Sequence, residues 1–413
     1  VLVLAGCGSS SKSSTNSNTG GTSSSASPAA NKSTIVLGYI TDVTGVSSSS
    51  FADGPGGAEA VIDQQNAAGG IDGHPIKLVV KDGASSPSGN LTAAEDLVQS
   101  SHAVAIIDYS SFTFGASTYL QKQGIPVLGS AFDGPEWAVQ PNSNMFSWAI
   151  PDESPVNGKY YTYTNLGKFL KDIGVTKIGG LGYAISPSST DSILAAVQSA
   201  KTQGISKCYV NNSVAFGAVD FTSDVLQIKA AGCNGIAGSF VEASDLALSS
   251  GLSQAGLASV KQVYFTGYDQ TTLATAASRA GFNGDYAEAG ENFSPPNAAG
   301  TALLATLTKY DKSYKGGIPD YGLLGSTISA QLAVFGLQHA GANPTSASVI
   351  AGLSKVSSYN DGGLLPTAVD FQHFGTISMF PATDCLYFEQ LKGSTWDEYS
   401  GKAVCGTRIE FKV

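Results

Sequence analysis

Residues 65–83 read QNAAGGIDGHPIKLVVKDG, and the stretch changes character at its centre. Ahead of it, Ala58, Val61 and Ile62 recur at the spacing of one helix face. Behind the turn, residues 76–80 form an apolar run of strand length. Between the two, Gly69 and Gly70 can take the left-handed conformation that caps a helix, which residues bearing a Cβ resist. The stretch predicts a helix that stops, turns and delivers a strand. Its glycines are structural, and no ligand contact is assigned to them.

The same alternation extends outward. Residues 35–40, 76–80, 104–107 and 125–128 are strand candidates, and Leu91, Ala94, Leu97 and Val98 mark a further helix face. The run 104–107, VAII, lacks polar alternation, as expected of a strand covered on both sides. Repeated strand and helix units predict a parallel sheet. A second series starts near residue 151, with strands at 177–181, 206–210, 235–240 and 263–266 and helices near 194–202 and 225–231. It predicts a second parallel sheet. Helices around 302–314, 326–340 and 346–356 bring too few strands for a third sheet and are expected to complete both lobes. No short-period repeat interrupts this order. At 413 residues the chain exceeds one comfortable core, so an α/β protein of two lobes is the expectation.

Composition removes several functions. A formal net charge of -10 argues against a nucleic-acid partner. Arg279 and Arg408 are the only arginines, so a bound anion would rest on backbone amides, hydroxyls or lysine. No later stretch approaches the roughly 20 apolar residues of a membrane-spanning helix. There is no G-x-x-x-x-G-K-[ST] nucleotide loop and no G-x-S-x-G elbow. His74, His102, His339 and His373 are scattered and no C-x-x-C occurs, so neither a metal nor a cofactor is expected.

The N-terminal stretch VLVLAGCGSSSKSS resembles the cut end of a secretory signal. Leu4, Ala5, Gly6 and Cys7 resemble the bacterial lipoprotein signal, which implies diacylation of Cys7 and a chain held to a membrane by lipid alone. Two acyl chains give stable anchoring where one would be marginal. Residues 8–33 are nearly all Ser, Thr, Asn, Gly and Ala, too poor in apolar side chains to fold. As a flexible tether of roughly 26 residues they would reach on the order of 30 Å. Four further cysteines, Cys208, Cys233, Cys385 and Cys405, allow three pairings. An exported protein can keep disulfides. Cys208 with Cys233 and Cys385 with Cys405 is favoured because each closes a short loop, and free buried thiols are the alternative.

In open α/β sheets ligands bind beyond the carboxyl ends of the strands. Those positions hold residues 42–50, Tyr109 with Ser110 and Ser111, Ser130 to Asp133, Tyr183, Phe240 to Glu242, and Tyr268 with Asp269. Hydroxyls, carboxylates and aromatic rings alternate, a mixture suited to a small polar solute rather than a nucleotide.

The turn at 65–83 also resembles the hallmark of type I periplasmic binding proteins of the leucine/isoleucine/valine-binding family, an Asn-x-x-Gly-Gly-Ile-x-Gly turn. Thr44-Gly45, Ser110-Ser111, Ile125-Pro126-Val127 and Pro135-Glu136 fall in register with it. The resemblance runs from residue 35 to the C-terminus and is closest up to Glu136. It implies two Rossmann-like lobes joined by three crossovers and closing like a clamshell. Residues 34–153 with 290–373 would form lobe 1, and residues 154–289 with 374–413 lobe 2, which would hold both disulfides.

By this resemblance Ser110 and Ser111, with amides of the helix that follows, would hold a ligand carboxylate; as ordinary helix caps they would need no ligand. Ala131 stands where the family has a backbone acceptor. Asp133 replaces a threonine, and could hold an ammonium, repel a carboxylate, or serve as a turn residue before Gly134-Pro135. Asp269 matches the acidic partner of an α-ammonium, or makes an Asx turn. Phe240 matches an aromatic beside the ligand, or is core. Tyr109, Phe132 and Tyr183 would line a side-chain pocket or merely pack. Phe51 follows the loop Val46-Ser47-Ser48-Ser49-Ser50, where the family usually has a proline after the glycine, so the pocket mouth departs from the pattern.

The function implied is capture of a small solute, a neutral or branched-chain or aromatic amino acid first, by a monomeric binding protein that serves an ABC permease. A sensor of the same fold, or a binder of amides or small aromatic or aliphatic carboxylates, is the alternative. An enzyme is the least favoured, since Ser, His and Asp show no local triad arrangement.

Overall fold

The computed structural model describes residues 32–138, 143–150, 155–266, 275–282, 284–291, 293, 296–373 and 375–412. Cys7, most of the tether and Asp269 lie outside the described residues. The first half runs β1 (Ile35–Thr41), α1 (Ser48–Phe51), α2 (Gly54–Ala67), β2 (Ile76–Asp82), α3 (Pro87–Gln99), β3 (Ala105–Tyr109), α4 (Phe114–Gln123), β4 (Val127–Gly129) and β5 (Met145–Ser147). These strands form one all-parallel sheet in the order β2-β1-β3-β4-β5. Because successive side chains point to opposite faces, Ile106 packs with Leu97 and Leu120 on one side while Ile107 packs with Ala58 and Val61 on the other. That double cover is why residues 105–107 of β3 are apolar without alternation.

The turn after α2 is held by its own side chains. Gly69 and Gly70 have φ of 107° and 72°, and a Cβ on Gly70 would lie 2.0 Å from the His74 carbonyl oxygen. Asn66 accepts from the Ile76 amide and donates to the Ile76 carbonyl, both at 2.8 Å. The asparagine thus splints the helix end to the first residue of β2.

The second lobe follows as β6 (Tyr160–Tyr163), α5 (Asn165–Asp172), β7 (Lys177–Tyr183), α6 (Pro187–Lys201), β8 (Ser206–Val214), α7 (Thr222–Ala231), β9 (Gly235–Ser239), α8 (Glu242–Gln254), β10 (Lys261–Tyr264), α9 (Ala276–Phe282) and β11 (Tyr286–Ala289). The chain then returns to the first lobe with α10 (Ala298–Tyr310), α11 (Tyr321–His339) and α12 (Ser346–Leu353). Of these, α11 packs on α2, β3 and β4. It ends in the second lobe with β12 (Thr383–Lys392), β13 (Thr395–Glu398) and β14 (Val404–Phe411).

The second sheet corrects the expectation of a purely parallel one. Its order is β6-β14-β12-β11-β10-β9-β7-β8, with β13 paired to β12. The part from β11 to β8 is parallel, whereas β12 runs antiparallel to β11, β14 to β12 and β6 to β14. No helix separates β12, β13 and β14, so no crossover can return them parallel. Gly393, at φ 68°, makes a tight hairpin from Lys392 to Thr395. Cys208 pairs with Cys233, and Cys385 with Cys405 across β12 and β14. Among the described residues no helix is long and apolar enough to cross a membrane.

Candidate ligand-binding site

The carboxyl ends of β1, β3 and β4 face those of β7 and β9, and the lobes touch there. Ser188 at the start of α6 donates to the Phe132 carbonyl at 2.6 Å. The Glu242 amide at the start of α8 donates to Ser50 at 3.1 Å. Phe112 meets Phe216 edge to face at 5.0 Å. Two cavities lie between the lobes. A small one, about 50 Å³, is lined by Phe51, Ser111, Phe132, Asp133, Tyr183 and Phe240, among others. A larger one, about 240 Å³, lies toward the crossovers, with Tyr109, Ala131 and Phe132 in its wall beside Trp148, Tyr321 and Glu291. Phe132 borders both.

The loop after β3 differs from its sequence reading. Asp42, fully buried at the end of β1, accepts from the Ser111 amide at 2.9 Å, the Ser110 hydroxyl at 3.0 and 3.1 Å, and the Ser85 amide at 3.1 Å. Burial pushes its pKa up to about 6, against the pull of those donors. Ala84 and Ser85 both sit at φ 50°, a conformation that costs non-glycine residues energy, and in it Ser85 reaches Asp42. Asp133 is likewise buried and accepts from the Phe114 amide at 3.0 Å and the Trp137 indole at 2.7 Å. Burial raises its pKa to about 6. Glu136 beside it is raised well above the usual range by burial and by the Asp133 charge.

Two carboxylates of the protein therefore stand where a ligand carboxylate was expected. Ser110 is a structural donor to Asp42 and lines neither cavity. Asp133 caps the first amide of α4, with its two oxygens committed. Ser111 keeps only its side chain toward the small cavity. Ala131 donates its amide to Ser147 at 2.9 Å.

The aromatic residues come together as one wall. Phe132 stacks on Phe51 at 5.7 Å and meets Tyr109 at 4.9 Å, and Tyr321 touches all three at 5.7 to 5.9 Å. Across the cleft Tyr183 packs on Phe240 at 4.7 Å. The Tyr183 hydroxyl donates to Ser244 at 2.7 Å and accepts from the Val241 amide at 3.3 Å. Burial pushes that phenol up, so it stays neutral.

Sequence reasoning missed Asp42 as a hub, Trp148, Tyr321, Ser188 and Glu291. For Glu291 a signal was present, because it sits two residues past β11, a strand the sequence analysis did not assign. Tyr321 comes from a helix distant in sequence and carries no local mark. Among the described residues no group of His, Cys, Asp and Glu is placed to hold a metal.

Two α/β lobes, connected by three passages of the chain and meeting over a cleft at their strand ends, define a two-lobed binding protein. The periplasmic binding protein family model matches residues 34–395, and the chain belongs to that family. The family is one of exported solute-binding proteins and not of enzymes. An amino acid binding protein of Pseudomonas aeruginosa is 31% identical over 121 residues, which span 29% of this chain and 32% of that protein. The leucine binding protein of Thermotoga maritima superposes with a TM-score of 0.72 at 12% identity, over 90% of this chain and 98% of its own. A solute binding protein of R. palustris in complex with benzoate gives 0.71 at 16% identity, over 91% and 97%.

Proposed function

We propose that the chain is the solute-capturing component of an ABC importer, anchored through Cys7 on the tether 8–33 and serving a separate permease as a monomer. Residues 34–153 with 290–373 and residues 154–289 with 374–413 would close as two units around one small solute. The observation that carries this reading is the cavity of about 240 Å³ between lobes that already meet at Phe132 and Ser188. Solute that prefers the closed arrangement shifts the population toward it, which is the capture step.

The proposed contacts are Phe51, Tyr109, Ser111, Ala131, Phe132, Tyr183 and Phe240, with Asp269 as partner of an ammonium. A neutral amino acid with an apolar or aromatic side chain is the starting reading. A second reading, a solute without an α-carboxylate, is favoured by the commitment of the Ser111 and Phe114 amides to Asp42 and Asp133.

Thermal unfolding with L-leucine, L-phenylalanine and their deaminated acids tests this. A ligand at about 1,000 times its dissociation constant adds about 4 kcal/mol. Stabilisation by the amino acids and not by the acids supports the starting reading, and stabilisation by the acids alone removes it.

A further inference from the structure

Taking solute capture between the lobes as given, we propose that the solute carries a cationic amine flanked by apolar surface, seated in the crossover-side cavity with its charge against Glu291. The described lining of that cavity contains Glu288, Glu291 and Asp384 and no lysine, arginine or histidine. The rest of its wall is largely aromatic and aliphatic, including Tyr109, Phe132, Trp148, Phe265 and Tyr321. An anion would meet only like charge there. A cation meets carboxylates and the faces of aromatic rings, both attractive where water is excluded.

Glu291 separates this cavity from a merely acidic surface. It is 2% exposed, and its Oε1 has no hydrogen-bond partner. Asp245, Asp311, Asp361, Glu389 and Glu398 also carry buried oxygens without a partner, but none of them lines the cavity, whereas Glu291 does. A buried acid used as scaffold, Asp285, instead accepts from Tyr264 at 2.6 Å and Ser249 at 2.9 Å. A buried carboxylate with an empty lone pair is costly, and the space in front of it is large enough to receive a donor. Burial, with the nearby Asp361 charge, pushes the Glu291 pKa up to about 8, a burden that a bound ammonium would relieve.

Size agrees. A cavity of about 150 Å³ holds a benzene ring, so about 240 Å³ admits a ring or branched chain with a short amine arm. Position agrees as well. Glu291 follows β11 where the chain crosses between lobes, while Tyr109 and Tyr321 belong to the first lobe and Phe265 to the second. An amine held there touches both lobes and the connection between them.

The test uses calorimetric titration and thermal unfolding of the full chain with 2-phenylethylamine and 3-methylbutylamine, against 2-phenylethanol and 3-phenylpropanoate at matched ionic strength. The expected result is binding of the amines, at least tenfold weaker binding of the alcohol and none of the acid. Glu291→Gln should lower amine affinity tenfold or more. Should that variant fail to fold, Ala195→Phe, which fills the cavity from α6, should abolish amine binding. Equal binding of amine and alcohol, or amine affinity retained in Glu291→Gln, overturns the proposal. Binding of leucine, phenylalanine or a carboxylate without any amine overturns it too, yet leaves solute capture standing. No binding by any of these compounds counts against both.

Discussion

The two ends of the cleft use buried acids in opposite ways. At the mouth Asp42 and Asp133 are saturated with amides, hydroxyls and an indole, and they fix the loops that carry Ser111 and Phe132. At the crossover end Glu291 faces open volume with an oxygen unmatched. One end is built as scaffold and the other is left to be completed. Within a single cleft, therefore, the presence of a carboxylate says little about binding; what it already holds decides.

The largest effect expected on this contrast comes from Asp42→Ala. It strands the Ser85 and Ser111 amides and the Ser110 hydroxyl inside the lobe, and at about 1 kcal/mol or more for each buried donor left unpaired the loss should reach about 3 kcal/mol. Urea denaturation measures it, and a loss under about 1 kcal/mol would mean that the mouth is not held by its acid.

The next largest is the response to pH. Asp42 and Asp133 are raised to about 6, Asp285 to about 7 and Glu291 to about 8. The native state therefore keeps protons that the unfolded chain releases from about pH 4 upward. Stability from these groups is fully present below their unfolded pKa values and is lost as pH rises through about 6 to 8. Melting temperature should fall between pH 5 and pH 8, and a rise over that range would contradict the burial of these groups.

Smaller still, Glu291→Gln without solute should gain about 1 kcal/mol at pH 8, since it removes a charge that burial disfavours. The same substitution at a saturated acid should lose stability, so the sign of the change distinguishes the two ends. Last, Ser188→Ala removes one lobe-to-lobe hydrogen bond worth about 1 kcal/mol. It should weaken solute affinity about fivefold by favouring the open form, leaving the melting of each lobe nearly unchanged; unchanged affinity would mean that this contact does not report closure.

The fold was legible where one residue type had only one physical use. Gly69 and Gly70 need positive φ, and 104–107 needs cover on both sides, so the turn and four of the first sheet's five strands could be read from short windows, β5 excepted. The strands β12 and β14 were not legible. Their partners β11 and β6 lie roughly 100 and 240 residues away in sequence, and no helical spacing between them marks a repeating unit. Six of the site candidates, Phe51, Ser111, Phe132, Asp133, Tyr183 and Phe240, come together around the small cavity because strand ends in such sheets converge. What each does there was less accessible. Asp42 and Ser110 are 68 positions apart, and nothing in either local window states that one satisfies the other.

The order of the second sheet has a consequence for biosynthesis. Strands β12 and β14 stand between β11 and β6, so two interior positions of that sheet are filled by a segment made long after its neighbours. Until residues 383–411 are available, β11 is an open edge and β6 has no partner strand in the sheet, both prone to pair with other chains. The first lobe also waits, because α11 covers β3 and β4 only after residue 321. Neither lobe is complete when its first run of strands has been made. A ribosome that stalls before residue 321 would release a chain with both lobes incomplete, whereas one that stalls between residues 353 and 383 would leave only the second lobe open.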